Sequence, residues 1–225
     1  MTNQPAQRLE SGKIRTMLGV YLILGSVNCK RPPAEILSEA ISGGVTIFQF
    51  REKGPGSLEG SAKTALAREL QGICRSHGVP FLVNDDIDLA IELNADGVHV
   101  GQDDEPARLL RERLGSGKII GVSAHTPEEA SQAIADGADY LGIGPIYPTS
   151  SKDDARLVQG TILISDLRRA GIDIPLVGIG GITANNAAPV LEAGADGVSV
   201  ISAIAGAASP GEAAQAFSML VSGKH

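Results

Sequence analysis

Val45-Thr46-Ile47-Phe48-Gln49-Phe50-Arg51-Glu52-Lys53 is a β-branched run that turns cationic at its end. Gly43-Gly44 precede it, so it reads as a strand entered through a tight turn. Side chains alternate along a strand, which puts Gln49, Arg51 and Lys53 on one face and Phe48 and Phe50 on the other. Val45 and Ile47 share the parity of Gln49 and Arg51, so one face passes from apolar to cationic along the run. A surface strand would be polar along the whole of its solvated face. A strand that lines a closed barrel and emerges at its mouth is apolar inside and polar at the rim. Gln49 to Lys53 covers about 13 Å at roughly 3.3 Å per residue, enough to touch a heterocycle at one end and a phosphate chain at the other.

Working outward, eight short aliphatic runs recur, at 17–25, 45–52, 80–84, 97–102, 119–124, 140–146, 175–181 and 197–203. Helical patterns lie between and after them, at 33–42, 58–76, 105–114, 127–136, 161–170, 183–193 and 210–221. Near-continuous apolar strands alternating with helices predict a parallel sheet covered by helices. Eight such units in 225 residues favour an α/β fold of the (β/α)8 TIM-barrel type over an open sheet. The domain reading is a polar N-terminal tail at 1–16 and a single barrel domain at 17–222.

The bulk composition narrows the function classes. A net charge of −7 argues against a nucleic-acid or anionic-membrane binder that works by bulk positive charge, so local cationic clusters carry more information. No apolar run is as long as a membrane span, and residues 1–16 lack the apolar core of a secretion signal. Cys29 and Cys74 lie far apart without metal-ligand spacing and read as reduced thiols. Together these predict a cytoplasmic protein.

Asn94-Ala95-Asp96, Gly137-Ala138-Asp139 and Gly194-Ala195-Asp196 precede the fourth, sixth and eighth runs, as Ser42-Gly43-Gly44 precedes the second. These turns sit at the N-terminal ends of strands, where conservation of the barrel matters more than chemistry, so the three aspartates read as stability features. Chemistry is expected in the loops after the strands. Those loops carry Gln49, Arg51 and Lys53; Asn84, Asp85 and Asp86; Gln102, Asp103 and Asp104; Ser123 and His125; Thr149, Ser151 and Lys152; Gly178–Gly181; and Ile201-Ser202.

Two phosphate sites can be read from this ring. The glycines of Gly178-Ile179-Gly180-Gly181 expose backbone N–H groups beside Ile201-Ser202, and Thr183 is placed to cap a following helix whose N-terminus favours an anion. That suits a monophosphate at the loops after strands seven and eight. The glycines lack the GxGxxG spacing of a dinucleotide site. Arg51, Lys53 and Lys152 would serve a more highly charged group. Carboxylates from adjacent strands would repel that group unless a cation stood between, and Mg2+ typically takes one or two carboxylates plus phosphate oxygens. Asp85 and Asp104 are the candidates, with Asp86 and Asp103 as near competitors. The segment 147–160, rich in Ser, Asp and Lys, has the length and composition of a lid.

The motifs Gln49-Phe50-Arg51-Glu52-Lys53, Asn84-Asp85, Gly101-Gln102-Asp103-Asp104, Gly121-Val122-Ser123-Ala124-His125-Thr126, Gly144-Pro145-Ile146-Tyr147-Pro148-Thr149-Ser150-Ser151-Lys152 and Val177-Gly178-Ile179-Gly180-Gly181-Ile182-Thr183 closely resemble the thiamine-phosphate synthase family, in order and spacing, over residues 18–220. The resemblance implies condensation of a hydroxymethylpyrimidine diphosphate with a thiazole monophosphate, releasing diphosphate. It implies that Gln49, Arg51, Lys53, Asn84, Ser123 and Lys152 bind the pyrimidine diphosphate. Of these, Arg51, Lys53, Ser123 and Lys152 would take part in the chemistry. Thr149, Ser151, Gly181, Ile201 and Ser202 would bind the thiazole phosphate. Asp85 and Asp104 would hold Mg2+, and only the resemblance ranks them above Asp86 and Asp103. Asn94 stands where the family usually has the glycine of a Gly-Ala-Asp turn, a position away from the chemistry.

No nucleophile–base–orienter triad is evident, and none is needed if the diphosphate departs first. The expected partners are small-molecule substrates, with no nucleic acid and no membrane, and a homo-oligomer is compatible with the sequence. Two rival readings are a thiazole tautomerase-like barrel using a His near position 125 and a non-catalytic regulator that binds a thiazole phosphate. The full diphosphate set around His125 exceeds what a tautomerase requires, so His125 reads as structural or supporting. His77 and His99 read as structural.

Overall fold

The computed structural model describes residues 8–149 and 157–223. Eight strands, β1 (Val20–Leu24), β2 (Ile47–Phe50), β3 (Phe81–Asn84), β4 (Gly97–Val100), β5 (Ile119–Ala124), β6 (Tyr140–Ile143), β7 (Leu176–Ile179) and β8 (Gly197–Val200), form a closed barrel in chain order. Every neighbouring pair is parallel, and β8 closes on β1 through Tyr21 opposite Ser199. The expected TIM barrel is therefore the observed one. Every strand but β5 is shorter than its apolar run, because the run ends belong to the turns and rim.

Helices α1 (Ser11–Met17), α2 (Pro33–Ser42), α3 (Gly60–Ser76), α4 (Ile87–Glu92), α5 (Ala107–Leu114), α6 (Pro127–Ala135), α7 (Ile162–Arg169), α8 (Ala188–Glu192), α9 (Ser202–Ala205) and α10 (Pro210–Ser222) complete the described chain. Their starts follow local capping chemistry. Thr126 and Ser209 accept the backbone N–H three residues on, with Pro127 and Pro210 at the first helical position. Three elements differ from the sequence reading. A six-residue helix, α4, stands between β3 and β4, where no helical pattern was singled out, because it is too short to show a full apolar period. The helix expected at 183–193 begins only at Ala188, so Thr183 is not its cap. Instead the Thr183 N–H donates to Asn186 Oδ1 at 2.7 Å, and Asn186 Nδ2 donates to the Gly181 carbonyl at 3.1 Å. The end of the eighth run turns into the single-turn helix α9 at Ser202.

Alternation sorts the strand side chains into two layers. Phe48, Phe50 and Phe81 pack outward under the helices, with Phe48 and Phe50 ring centroids 5.6 and 6.3 Å from that of Phe81. Tyr21, Ile23, Ile47, Leu82, Ile119, Tyr140 and Val177 point inward as a separate cluster. Ile14 and Leu18 join that inner cluster, so α1 plugs the N-terminal mouth. The sequence reads 1–16 as a polar tail; residues 1–7 lie outside the described residues, and from Arg8 onward the segment is part of the barrel floor. Arg8 Nε donates to Asp139 at 3.0 Å, and Arg15 reaches Asp196 at 2.8 Å. Ile14 at 2% exposure, helped by Leu18 and by Leu9 and Met17 packed beside them, anchors a short helix whose remaining residues are mostly polar.

The turn aspartates have a common task. Asp96, Asp139 and Asp196 each accept a backbone N–H at the start of the preceding strand, from Phe81, Ile120 and Leu176 respectively, at 2.8 Å. Thr46 does the same for Val20 at 2.9 Å. Turns that lead into even-numbered strands thus latch odd-numbered ones at the floor.

Candidate active site

The rim loops converge on two adjoining cavities at the C-terminal mouth. The first is lined by Arg51, Lys53, Asn84, Asp85, Asp104 and Ser123, among others. The second is lined by Thr149, Gly181, Ile201 and Ser202, with Ser199 at its floor. Both share Thr149, Ile179 and Gly180, so they form one chamber with a charged and a glycine-lined half. Ser151 and Lys152 lie outside the described residues.

Local backbone features explain how the charged half is built. β2 ends where Arg51 N–H donates to the Leu24 carbonyl at 2.9 Å, and a Cβ on Gly25 would stand 2.0 Å from the Arg51 carbonyl oxygen. Only glycine allows that approach. It seats Arg51 with 6% of its surface exposed, a nearly buried cation on the chamber wall. Glu52, turned the other way, ties three segments together: it accepts the Ser26 N–H at 2.7 Å and the Leu58 N–H at 2.8 Å. Lys53 Nζ meets Asp85 Oδ2 at 2.9 Å.

Asp85 has φ +58°, a left-handed conformation that an aspartate tolerates and most residues do not. Its own N–H donates to the His99 carbonyl. Burial raises its pKa, the Lys53 contact opposes that, and the neighbouring Asp104 carboxylate adds to the rise. A pair of carboxylates held this close, one of them short of solvent, is the donor set that a hard divalent cation relieves. Asp104 Oδ2 also accepts the Gly101 N–H at 2.7 Å, which fixes its direction. Among the described residues no cluster of three or more His, Cys, Asp or Glu forms a metal cage. Asp85 and Asp104 are a donor pair of the kind Mg2+ takes, since that ion commonly binds one or two carboxylates together with phosphate oxygens and water. Asp86 is separated from them by its own work: it caps α4 through the Leu89 N–H at 3.0 Å and pairs with Lys63 at 2.6 Å. Asp103 lines the same cavity as Asp104.

Gln49 does not line the chamber. It is fully buried one layer beneath, where its Nε2 donates to the Tyr21 hydroxyl at 2.6 Å. Tyr21, Tyr140 and His99 were not singled out from the sequence as site residues, yet they connect Gln49 to Ser123 through the barrel. The only signals were a Tyr inside each of two aliphatic runs and a His within a third. Gly121 makes this layer possible, since a Cβ there would stand 2.0 Å from the Tyr140 ring. His125 lines the charged half, and its Nδ1 donates to the Gly144 carbonyl at 2.7 Å. Its supporting reading is consistent with that anchor.

Comparison with known proteins identifies the family. The family described as thiamine monophosphate synthase matches residues 20–204. A thiamine-phosphate synthase of Geobacillus kaustophilus is 63% identical over 214 residues, 95% of this chain and 96% of its own length. One from Bacillus cereus is 62% identical over 197 residues, covering 88% of this chain and 90% of that protein. The solved thiamine phosphate pyrophosphorylase of Pyrococcus furiosus superposes with a TM-score of 0.83 at 35% identity, covering 94% of this chain and 98% of that one. Identity at this level across nearly whole chains, with the rim motifs gathered at one mouth, means that this chain belongs to the thiamine monophosphate synthase family.

Proposed function

We propose that this chain is a transferase that joins a hydroxymethylpyrimidine diphosphate to a thiazole monophosphate, giving thiamine phosphate and diphosphate. The observation that carries this reading is the convergence of Arg51, Lys53, Asp85 and Asp104 on one half of a chamber whose other half is lined by Gly180, Gly181 and Ser202. One half suits a diphosphate and the other a monophosphate, with a shared wall where the two rings would meet.

Each residue has a task in that scheme. Arg51 and Lys53, with Lys152, neutralise the departing diphosphate, and Asn84 and Ser123 orient the pyrimidine. Gln49 supports Ser123 from below. Thr149, Ser151, Gly181, Ile201 and Ser202 hold the thiazole phosphate. Bound between Asp85 and Asp104, Mg2+ would supply further charge neutralisation at the diphosphate. With the leaving group so stabilised, the C–O bond to the pyrimidine methylene breaks first, and the ring delocalises the positive charge. The thiazole nitrogen lone pair then forms the new C–N bond. Holding both rings in line supplies much of the rest of the rate.

Small-molecule substrates are its partners in this reaction, and two unpaired thiols suit a cytoplasmic setting. No helix among the described residues is long and apolar enough to cross a membrane. The test is to mix both substrates with the protein, with added Mg2+ or with EDTA, and assay thiamine phosphate. Product that depends on the metal supports the proposal. Binding of the thiazole phosphate without turnover would support the regulator reading instead.

A further inference from the structure

Four hydrogen bonds run through the barrel interior from β2 to β5. Gln49 Nε2 lies 2.6 Å from Tyr21 Oη, and Tyr21 Oη lies 2.8 Å from Tyr140 Oη. Tyr140 Oη lies 2.9 Å from His99 Nδ1, and His99 Nε2 lies 2.9 Å from Ser123 Oγ. Gln49, Tyr21, Tyr140 and His99 are all buried, Ser123 is partly exposed, and His99 and Ser123 both border the chamber. We infer that this chain of bonds runs one way, from Gln49 to Ser123, and so makes the Ser123 hydroxyl a donor into the chamber. His99 is thereby held with its proton on Nε2, and Tyr21, Tyr140 and His99 are positioning residues for Ser123.

The direction follows from counting protons. An amide NH2 can only donate, so Tyr21 accepts from Gln49. The single Tyr21 proton then goes to Tyr140, the other polar group its hydroxyl meets. Tyr140 in turn gives its proton to His99 Nδ1, which must be bare. The imidazole proton therefore sits on Nε2 and is donated to Ser123 Oγ, leaving the serine proton for a ligand. Burial raises the pKa of both tyrosines, so both keep the protons this scheme requires.

Turning the Gln49 amide over would reverse every bond and make Ser123 an acceptor. The orphaned Gln49 Oε1 decides between the two directions: it is buried and has no partner among the described residues. In the reversed chain, the NH2 group would occupy that place with two unpaired protons. Buried orphan N–H groups are rarer than under-satisfied carbonyls. Gly142 leaves room for this arrangement, since a Cβ there would meet His99 Cε1 at 3.1 Å.

Resting on the proposed substrates, the consequence is a specificity rule. Ser123 selects a heterocycle that presents a lone pair, such as a pyrimidine ring nitrogen, and disfavours one with N–H or C–H at that place.

Two measurements test this. In the full chain with 15N-labelled imidazoles, long-range 1H–15N correlations at neutral pH should show His99 protonated at Nε2 and bare at Nδ1. The His99 signals are assigned by their loss in His99→Gln. The opposite tautomer would overturn the relay, whatever the protein's activity. Second, pyrimidine diphosphate analogues with each ring nitrogen replaced in turn by C–H are compared with the parent for binding by calorimetry. One analogue should bind roughly threefold to tenfold more weakly, the loss of one hydrogen bond. Ser123→Ala should abolish that difference and Tyr140→Phe should narrow it. A difference unchanged in Ser123→Ala overturns the role of Ser123 even if Tyr140→Phe does not fold. Failure of the condensation assay with the tautomer as expected would sink the substrate reading and leave the relay standing.

Discussion

Lys53 and Asp85, on the loops after neighbouring strands β2 and β3, meet at 2.9 Å, yet the Asp85 carboxyl still has a raised pKa. Burial outweighs the lysine, and the adjacent Asp104 charge adds to it. An acid raised in the folded state is penalised in its ionised form. The penalty is full above the folded pKa and is lost as the pH falls below the unfolded value of about 3.9. Asp85→Asn should therefore melt at a higher temperature than the parent at pH 7.5, with the difference shrinking toward pH 3.5. Asparagine also tolerates the left-handed backbone at φ +58°. Synthase activity should fall together with Mg2+ dependence. Circular dichroism melts at both pH values check this, and equal melting at pH 7.5 would contradict it.

Glu52 clamps the loops after β1 and β2 to the approach to α3 through Ser26 and Leu58. Glu52→Ala should cost about 1.5–3 kcal/mol, the range for hydrogen bonds to a charged group. The KM for the diphosphate substrate should rise as Arg51 and Lys53 lose their fixed loop. Glu52→Gln, which keeps one acceptor, should recover part of both losses. Urea titrations and steady-state kinetics on the same preparations provide the check.

Gly121 and Gly72 make a matched pair. Gly121→Ala drives a methyl group to 2.0 Å from the Tyr140 ring and should destabilise by about 1–3 kcal/mol. Gly72 lies inside α3 with nothing within 4 Å of an added Cβ. Gly72→Ala should stabilise by about 0.5–1 kcal/mol. Denaturant midpoints that move the same way for both variants would refute the packing account.

Ile14 projects from α1 into the inner core with 2% exposure. Ile14→Ala should cost about 2–4 kcal/mol, as for other buried aliphatic truncations. A change below about 0.5 kcal/mol would return this segment to the status of a detached tail.

Burial, and next the Glu52 charge, push the Cys29 thiol up to about 11 from 9.0. A raised thiol pKa leaves less thiolate, partly offset by a more nucleophilic sulfur. Cys29 should therefore react with iodoacetamide at pH 8 about tenfold more slowly than a free cysteine. Mass-spectrometric time courses measure it, and labelling at the rate of the free amino acid would contradict the burial argument.

Much of the site could be read along the chain because barrel chemistry sits at predictable places. Asn84 and Ser123 lie at the C-terminal ends of β3 and β5, while Arg51, Lys53, Asp85, Asp104, Thr149, Gly181, Ile201 and Ser202 follow a strand, and the structure brings them all to one mouth. The internal polar chain could not be read that way. Tyr21 and Tyr140 lie 119 positions apart, and each alone looks like an ordinary core aromatic. The difference in setting between Asp85 and Asp86 was equally hidden, since it lies in one positive φ and in the neighbour each carboxylate faces, Lys53 for one and Lys63 for the other.

Strand, helix and their order follow from periodicities within single segments, which the amino-acid sequence carries locally: apolar runs make buried parallel strands, and eight of them close. Which buried polar atoms become partners, which way Gln49 faces, and how α1 seals the floor depend on closure of the barrel. Closure brings together side chains far apart in the chain and removes the water that would otherwise have satisfied them.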